Sequence, residues 1–285
     1  MWITFAIGST LLAGITATFI KIGTKGTNAT VAAALHTTVV CIAAWMMTFW
    51  VGTQYGIYQL GQRTLIILLL SGVTTGAAWL FYCSALQATN VNRVVPVEKG
   101  SILLTTLFAF LLFGDKPSLL KVVCLILILM GILLMVTRQS GSARGRNHGW
   151  LLPAVLSAVF SAVTTLLLRL GASGVNSYLS TSFRATVALI MLWLMVLLGN
   201  KTRQLGNVSL RSVVFLALSG IVTGLSWWCY HRALSLGPSR YVLPIDRLSI
   251  VAAVLFSRLL LREKLFGHSL GGLLLIVAGV LLLLV

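Results

Sequence analysis

The chain contains four acidic residues, and they form two pairs of equal spacing: Glu98 with Asp246 and Asp115 with Glu263, each 148 residues apart. Glu98 and Asp246 each stand two positions after a proline, Pro96 and Pro244, and each is followed by a cation, Lys99 and Arg247. A carboxylate with an adjacent cation, offered twice, suits recognition of a zwitterion: the acid meets an ammonium and the cation meets a carboxylate. Either acid could also take up a proton. A structural ion pair that satisfies itself or backbone freed by the proline accounts for the same residues. Aromatic residues repeat with the same offset. Thr75, Trp79 and Tyr82 return as Thr223, Trp227 and Tyr230, spaced i, i+4 and i+7 on one helical face. That face can wall a ligand pocket with apolar and cation–π surface, or pack as core.

Other ionisable residues carry weaker signals. Asp115-Lys116 and Glu263-Lys264 lie at the ends of apolar stretches, where interfacial charges cost little, and read as loop anchors. His36 and Arg184 are also 148 residues apart. These two, and the His231-Arg232 pair, could each contact an anion, but a cation snorkelling to the interface explains them equally. His148 and His268 fall in connections and receive no role. Cys41, Cys83, Cys124 and Cys229 lie inside apolar stretches without a CxxC, as core residues do. The sequence has no HExxH, GxSxG, GxxxxGK[ST] or strand-linked GxGxxG motif. We therefore expect no enzyme, no metal and no cofactor.

Only one kind of element can position these residues. Of 285 residues, 58% are apolar and 9% charged, with a mean hydropathy of +1.01. So few charges cannot coat a water-soluble fold, which leaves a polytopic membrane protein. Lys and Arg number 21 against four acids, a net charge of +17 that in a soluble protein would suggest a nucleic-acid surface. Here the basic residues are scattered between apolar stretches as loop anchors, so the expected partner is the lipid bilayer and not nucleic acid. Apolar stretches predict ten transmembrane helices, at 2–20, 30–51, 64–86, 94–113 and 118–137, then 150–168, 177–199, 213–234, 242–261 and 267–285. The opening MWITFAI has no basic lead and no cleavage site follows it, so the first stretch is expected to stay as a span. Residues 138–149, rich in Ser, Gly and Arg, separate a first unit, 1–137, from a second, 150–285.

The two units are copies. SGVTTGAAWLFYCSAL (Ser71 to Leu86) aligns with SGIVTGLSWWCYHRAL (Ser219 to Leu234), and VVPVEKGSI (Val94 to Ile102) with VLPIDRLSI (Val242 to Ile250). Trp2 and Trp150, Lys21 and Arg169, and Asn28 and Asn176 also correspond. Five spans per copy is odd, so the second copy enters the membrane inverted, which places a site near the midplane between the halves. Glu98, Ser101, Thr105 and Ala109 share a helical face, repeated by Asp246, Ser249, Ala253 and Ser257. Gly72/Gly76 and Gly220/Gly224 are small-xxx-small patterns that let helices approach closely.

The duplicated five-span unit, the SGxxTGxxWxxYxxAL segment, the PxxK and PxxR stretches (Pro96 to Lys99, Pro244 to Arg247) and the GDK and REK ends resemble the EamA-type transporters of the drug/metabolite transporter superfamily. The resemblance covers both copies and is most specific over Val242 to Leu265. It implies ten helices around a cavity lined by the first four of each copy, with the fifth and tenth at the periphery. It also implies transport without ATP hydrolysis, of substrates ranging from amino acids and choline to nucleotide sugars and sugar phosphates. Arg262 departs from the pattern, standing where the first copy has Gly114.

From residues and resemblance together we expect a secondary-active transporter in the plasma or inner membrane. It would export a small polar metabolite, an amino acid or similar zwitterion, with protons as a candidate coupling ion. The expected substrate-binding residues are Glu98, Lys99, Asp246, Arg247, Trp79, Trp227, Tyr82 and Tyr230. The alternative is a non-transporting scaffold or assembly subunit. The fifth and tenth spans, free of ionisable groups over Leu125–Val136 and Leu273–Val285, offer lipid-facing or helix-pairing surfaces, open to a homodimer. Setting aside Lys99, Arg184, Arg232 and Arg247 as intramembrane, twelve cations fall on one side and five on the side of the termini. The positive-inside rule then puts both termini outside the cytoplasm. The resemblance implies the reverse.

Overall fold

The computed structural model describes residues 1–114, 118–137, 148–171, 174–263 and 267–282, and among these its regular structure is entirely helical. The first copy forms α1 (Trp2–Gly23), α2 (Ala29–Val51), α3 (Gln62–Ala88), α4 (Val91–Lys99), α5 (Ser101–Phe113) and α6 (Leu119–Thr137). The second forms α7 (Leu151–Gly171), α8 (Ser177–Leu198), the single turn α9 (Thr202–Leu205), α10 (Leu210–Leu236), α11 (Ser239–Arg247), α12 (Ser249–Leu261) and α13 (Gly267–Leu282). Eight segments are long and apolar enough to cross a membrane, α4 and α5 counting as one, and α13 is a shorter apolar helix. The α11–α12 pair, the more charged counterpart of α4–α5, completes ten. Asp115, Lys116 and Lys264 lie outside the described residues.

Local sequence explains where these helices begin and bend. Asn28 and Asn176, repeat partners, cap α2 and α8 by accepting from the amides of Thr30 and Tyr178, each at 3.0 Å. The fourth and ninth spans begin three residues earlier than the hydropathy suggests and are not continuous: each breaks one residue after the acid–cation pair, at Gly100 and Leu248. Pro96 and Pro244 sit inside the short first segments and cannot supply a helical N–H, and the ladder tightens beyond them. The Gly100 amide bonds the carbonyls of both Pro96 (3.0 Å) and Val97 (3.1 Å). At the far end of each span the chain turns through a left-handed residue, Gly114 at φ 67° and Arg262 at φ 54°. Arg262 thus adopts a backbone that glycine holds more easily, and keeps the turn of the first copy.

Packing follows the repeat relation. α1 lies along α10 as its counterpart α7 lies along α3; α2 meets α8; and α3–α8 is matched by α10–α2. The glycines predicted to allow close approach do so. A Cβ on Gly72 would sit 2.5 Å from the Val187 Cβ, and one on Gly220 would sit 2.6 Å from the Val39 Cβ. The fifth and tenth spans, α6 and α13, pack on each other, with Gly131 and Gly272 in contact backbone to backbone. Their small-residue faces are therefore used inside the chain. What they present outward is leucine-rich surface such as Ile126, Leu133, Leu274 and Leu281, suited to lipid.

This contact gives a paired test. A Cβ at Gly272 would lie 2.6 Å from the Gly131 carbonyl oxygen, whereas one at Gly271 meets nothing within 4 Å. Thermal unfolding in detergent should show Gly272→Ala destabilised by about 1–3 kcal/mol, as for overpacking. Gly271→Ala should melt like the wild type.

Candidate functional site

A cavity of about 350 Å³ lies between the two copies. It falls near the lower end of the range for small-molecule sites. α1, α3, α4 and α7 contribute to its wall, as do α8, α10, α11 and α12. α6 and α13 do not. Hydroxyls floor much of it, including Thr16, Ser157, Ser161 and Thr164, because the first span of each copy turns a Ser/Thr-rich stripe inward. The Thr, Trp, Tyr triplets of α3 and α10 both face the cavity, so the i, i+4, i+7 spacing marks a lining face. Trp79 and Tyr82 meet edge to face, with centroids 5.9 Å apart.

Of the acid–cation pairs, Glu98, Lys99 and Asp246 line the cavity. Lys99 Nζ is 3.8 Å from Glu98 Oε2, so that pair is mutually neutralised. Asp246 is held by hydroxyls instead. Ser9 Oγ donates to its Oδ1 at 3.3 Å, and Ser226, whose own Oγ donates to the Ser9 carbonyl at 3.0 Å, fixes α1 against α10 beside it. Arg247 is elsewhere. It lines a narrow crevice with Pro96, Ile128, Ile132, Ile276 and Val280, against α6 and α13. One residue along a helix is about 100° around it, which turns Arg247 toward the peripheral helices, while Lys99, its counterpart, lines both this crevice and the cavity. The longer face drawn through Glu98 also divides. Asp246, Ser249 and Ala253 line the cavity, whereas Ser101 and Ala109 are buried outside it.

Two residues that snorkelling would have sent to the interface enter the cavity, Arg184 and His231. Their repeat partners, His36 and Cys83, are fully buried instead, with His36 Nδ1 2.7 Å from Ser219 Oγ and its ring centroid 4.5 Å from that of Trp79.

Glu263 is no loop anchor. It is buried, and its two carboxylate oxygens accept from the amides of Val91 (3.0 Å) and Asn92 (3.2 Å) at the start of α4 in the other copy. Ser257 Oγ donates to Asn92 Oδ1 at 2.7 Å beside it. Burial pushes the Glu263 carboxyl above its ordinary value, while the two amides and Lys21 pull it back. Nearby, Lys21 Nζ donates to the carbonyls of Leu86 (2.6 Å) and Thr89 (2.8 Å), closing α1 onto the α3–α4 corner. Together these contacts lock one end of the bundle around the cavity.

A duplicated membrane bundle with a polar, charge-balanced cavity at the interface of its halves is the architecture of a multi-pass membrane transporter. The EamA-like transporter family model matches residues 1–137 and again 148–285, and the chain belongs to that family. A curated relative from Sinorhizobium sp, an uncharacterized transporter in the cobO 3' region, is 39% identical over 137 residues, 48% of this chain and 97% of its own. A crystal structure of another protein superposes with a TM-score of 0.66 over 98% of this chain and 94% of its own, at 20% identity, which speaks to the fold alone.

Removing the Glu263 cap leaves two buried amides without an acceptor, at about 1–3 kcal/mol for each such group. Glu263→Ala should lower the melting temperature by several degrees, and Glu263→Asp, whose shorter carboxylate still accepts, should recover part of it. An unchanged melting temperature in Glu263→Ala would refute the cap.

Proposed function

We propose that this chain is a secondary-active transporter that carries a small polar metabolite, an amino acid or similar zwitterion, by alternating access through the cavity between its repeats. One observation carries the reading: the cavity is lined by Glu98, Lys99, Arg184 and Asp246, two acidic and two basic side chains, together with four large aromatics. A lining with acids and bases in equal number matches a zwitterion better than a cation or a polyanion, and the aromatics supply cation–π surface for an ammonium. A protonatable Asp246 or Glu98 gives the cycle a means of coupling to a proton gradient. We assign export as the net direction, across the plasma or inner membrane. The cation count supports termini outside the cytoplasm.

The test is counterflow of radiolabelled amino acids in proteoliposomes, with a Glu98→Gln, Asp246→Asn double variant. Wild type should exchange at least one amino acid well above protein-free vesicles, accumulate it under a pH gradient, and lose both activities in the double variant. Normal exchange by the double variant would sink this site. The absence of exchange for every amino acid would sink the zwitterion.

A further inference from the structure

We propose that Arg184, together with Thr181 and His231, forms the subsite that receives the anionic group of the substrate, a carboxylate; the assignment rests on the transporter reading above.

The geometry is that of a cluster of hydrogen-bond donors facing the cavity. Thr181 and Arg184 stand one turn apart on α8 and His231 faces them from α10, and all three line the cavity. Arg184 Nη2 donates to Thr181 Oγ1 at 3.4 Å, and Thr181 Oγ1 is 3.1 Å from His231 Nε2. The Thr181 hydroxyl thus bridges Arg184 and the imidazole of His231, whose second ring nitrogen, Nδ1, is turned away from this contact. Both that Nδ1 and Arg184 Nε are buried and have no hydrogen-bond partner. Among the described residues no carboxylate lies within ion-pairing distance of Arg184. A guanidinium drawn into a membrane protein without a counter-ion is costly. An anion in the cavity beside Arg184 would supply the missing counter-charge, and the planar guanidinium fork matches a carboxylate in two-point contact.

The other cations are already accounted for. Lys99 is neutralised by Glu98, and Arg247 faces the α6–α13 crevice. Asp246, held by Ser9, has no cation paired with it among the described residues and supplies the opposite pole.

Comparison of the repeats points the same way. At the positions of Thr181, Arg184 and His231 the first copy has Ala33, His36 and Cys83, all buried outside the cavity. The aromatic Trp79/Trp227 and the acid Glu98/Asp246 are kept in both copies, so the scaffold is shared and the anion-binding trio belongs to one half. Its backbone is pinned, because Gly72 lets α3 press on α8 there: a Cβ on Gly72 would lie 3.1 Å from the Arg184 carbonyl oxygen. The guanidinium therefore projects from a fixed point, which limits the ordering required when an anion binds.

The experiment is a thermal-unfolding titration of the purified full chain in detergent against the common amino acids. The best protector is then compared with its amide, which lacks the anion, with its des-amino acid, which lacks the ammonium, and with inorganic phosphate. In wild type the acid and the des-amino acid should protect, and the amide should bind about tenfold to a hundredfold more weakly, the usual range for a hydrogen bond to a charged group. Arg184→Gln should bring the acid down to the level of the amide without changing the amide, and Arg184→Lys, which keeps the charge and loses the fork, should fall between. The wild-type comparison of acid with amide stands even if a variant folds poorly. Equal protection by acid and amide overturns the subsite. So does acid binding unchanged in Arg184→Gln, phosphate outcompeting every carboxylate, or an absence of protection by any amino acid. If Arg184→Gln binds as wild type while counterflow persists, the subsite falls and the transporter reading stands. If acids bind through Arg184 without counterflow, the reverse holds.

Discussion

An ionisable or hydrogen-bonding group carried to membrane depth must find its partner in protein or in water, because hydrocarbon offers none. The interior of this bundle is organised by that requirement. Serines and threonines of α1, α7 and α10 turn inward and bond across helices: Ser226 to the Ser9 carbonyl, Ser157 to the Ala78 carbonyl at 3.0 Å, and Thr223 to Thr16 at 3.3 Å. The prolines of the fourth and ninth spans remove helix donors, and the breaks beyond them fall beside the acids that need a polar environment. Glu263 extends the same logic to the rim, where one copy supplies the acceptor for the first amides of a helix in the other. The cavity is what remains where such groups face one another without closing the space.

Duplication supplies the frame and divergence supplies the polarity. The glycines at 72, 76, 220 and 224, the Trp and Tyr pairs, the prolines and the inward acids obey the repeat. Such elements fix where helices touch and where the cavity lies. Residues that break the symmetry set its chemistry. Glu98 is paired with its own neighbour whereas Asp246 is bonded by a hydroxyl, and His36 is buried against Ser219 whereas Arg184 opens into the cavity. A symmetric site would present the same face to both ends of a ligand; this one presents two different faces.

How much of this is legible in sequence depends on the range over which each signal acts. Span number, the repeat and the lining face of Thr75, Trp79 and Tyr82 follow from apolar runs and helical spacing, which are local. Glu263 looks like any charge at a span end, because its partners, Val91 and Asn92, are over 160 residues away and only the fold brings them to it. Arg184 near a helix start reads as a snorkelling cation, and whether it turns to lipid headgroups or to a cavity is decided by the packing of α2 and α3 on α8. Arg247 shows the opposite case: adjacency to an inward acid suggests a shared site, yet helical rotation sends it to the far side. The fifth and tenth spans read equally as lipid-facing, helix-pairing or dimer-forming surfaces, and only the fold shows α6 and α13 packed on each other through Gly131 and Gly272.

The central claim is that one cavity, bounded by both repeats, serves both sides of the membrane. Thr165 lines it and is solvent-exposed. A single cysteine at that position, in a background with Cys41, Cys83, Cys124 and Cys229 replaced, can be challenged with membrane-impermeant thiol reagents from each face of sealed vesicles. The account predicts modification from both faces, slowed from both by a saturating transported amino acid. Modification confined to one face, whatever substrate or pH gradient is applied, would contradict it.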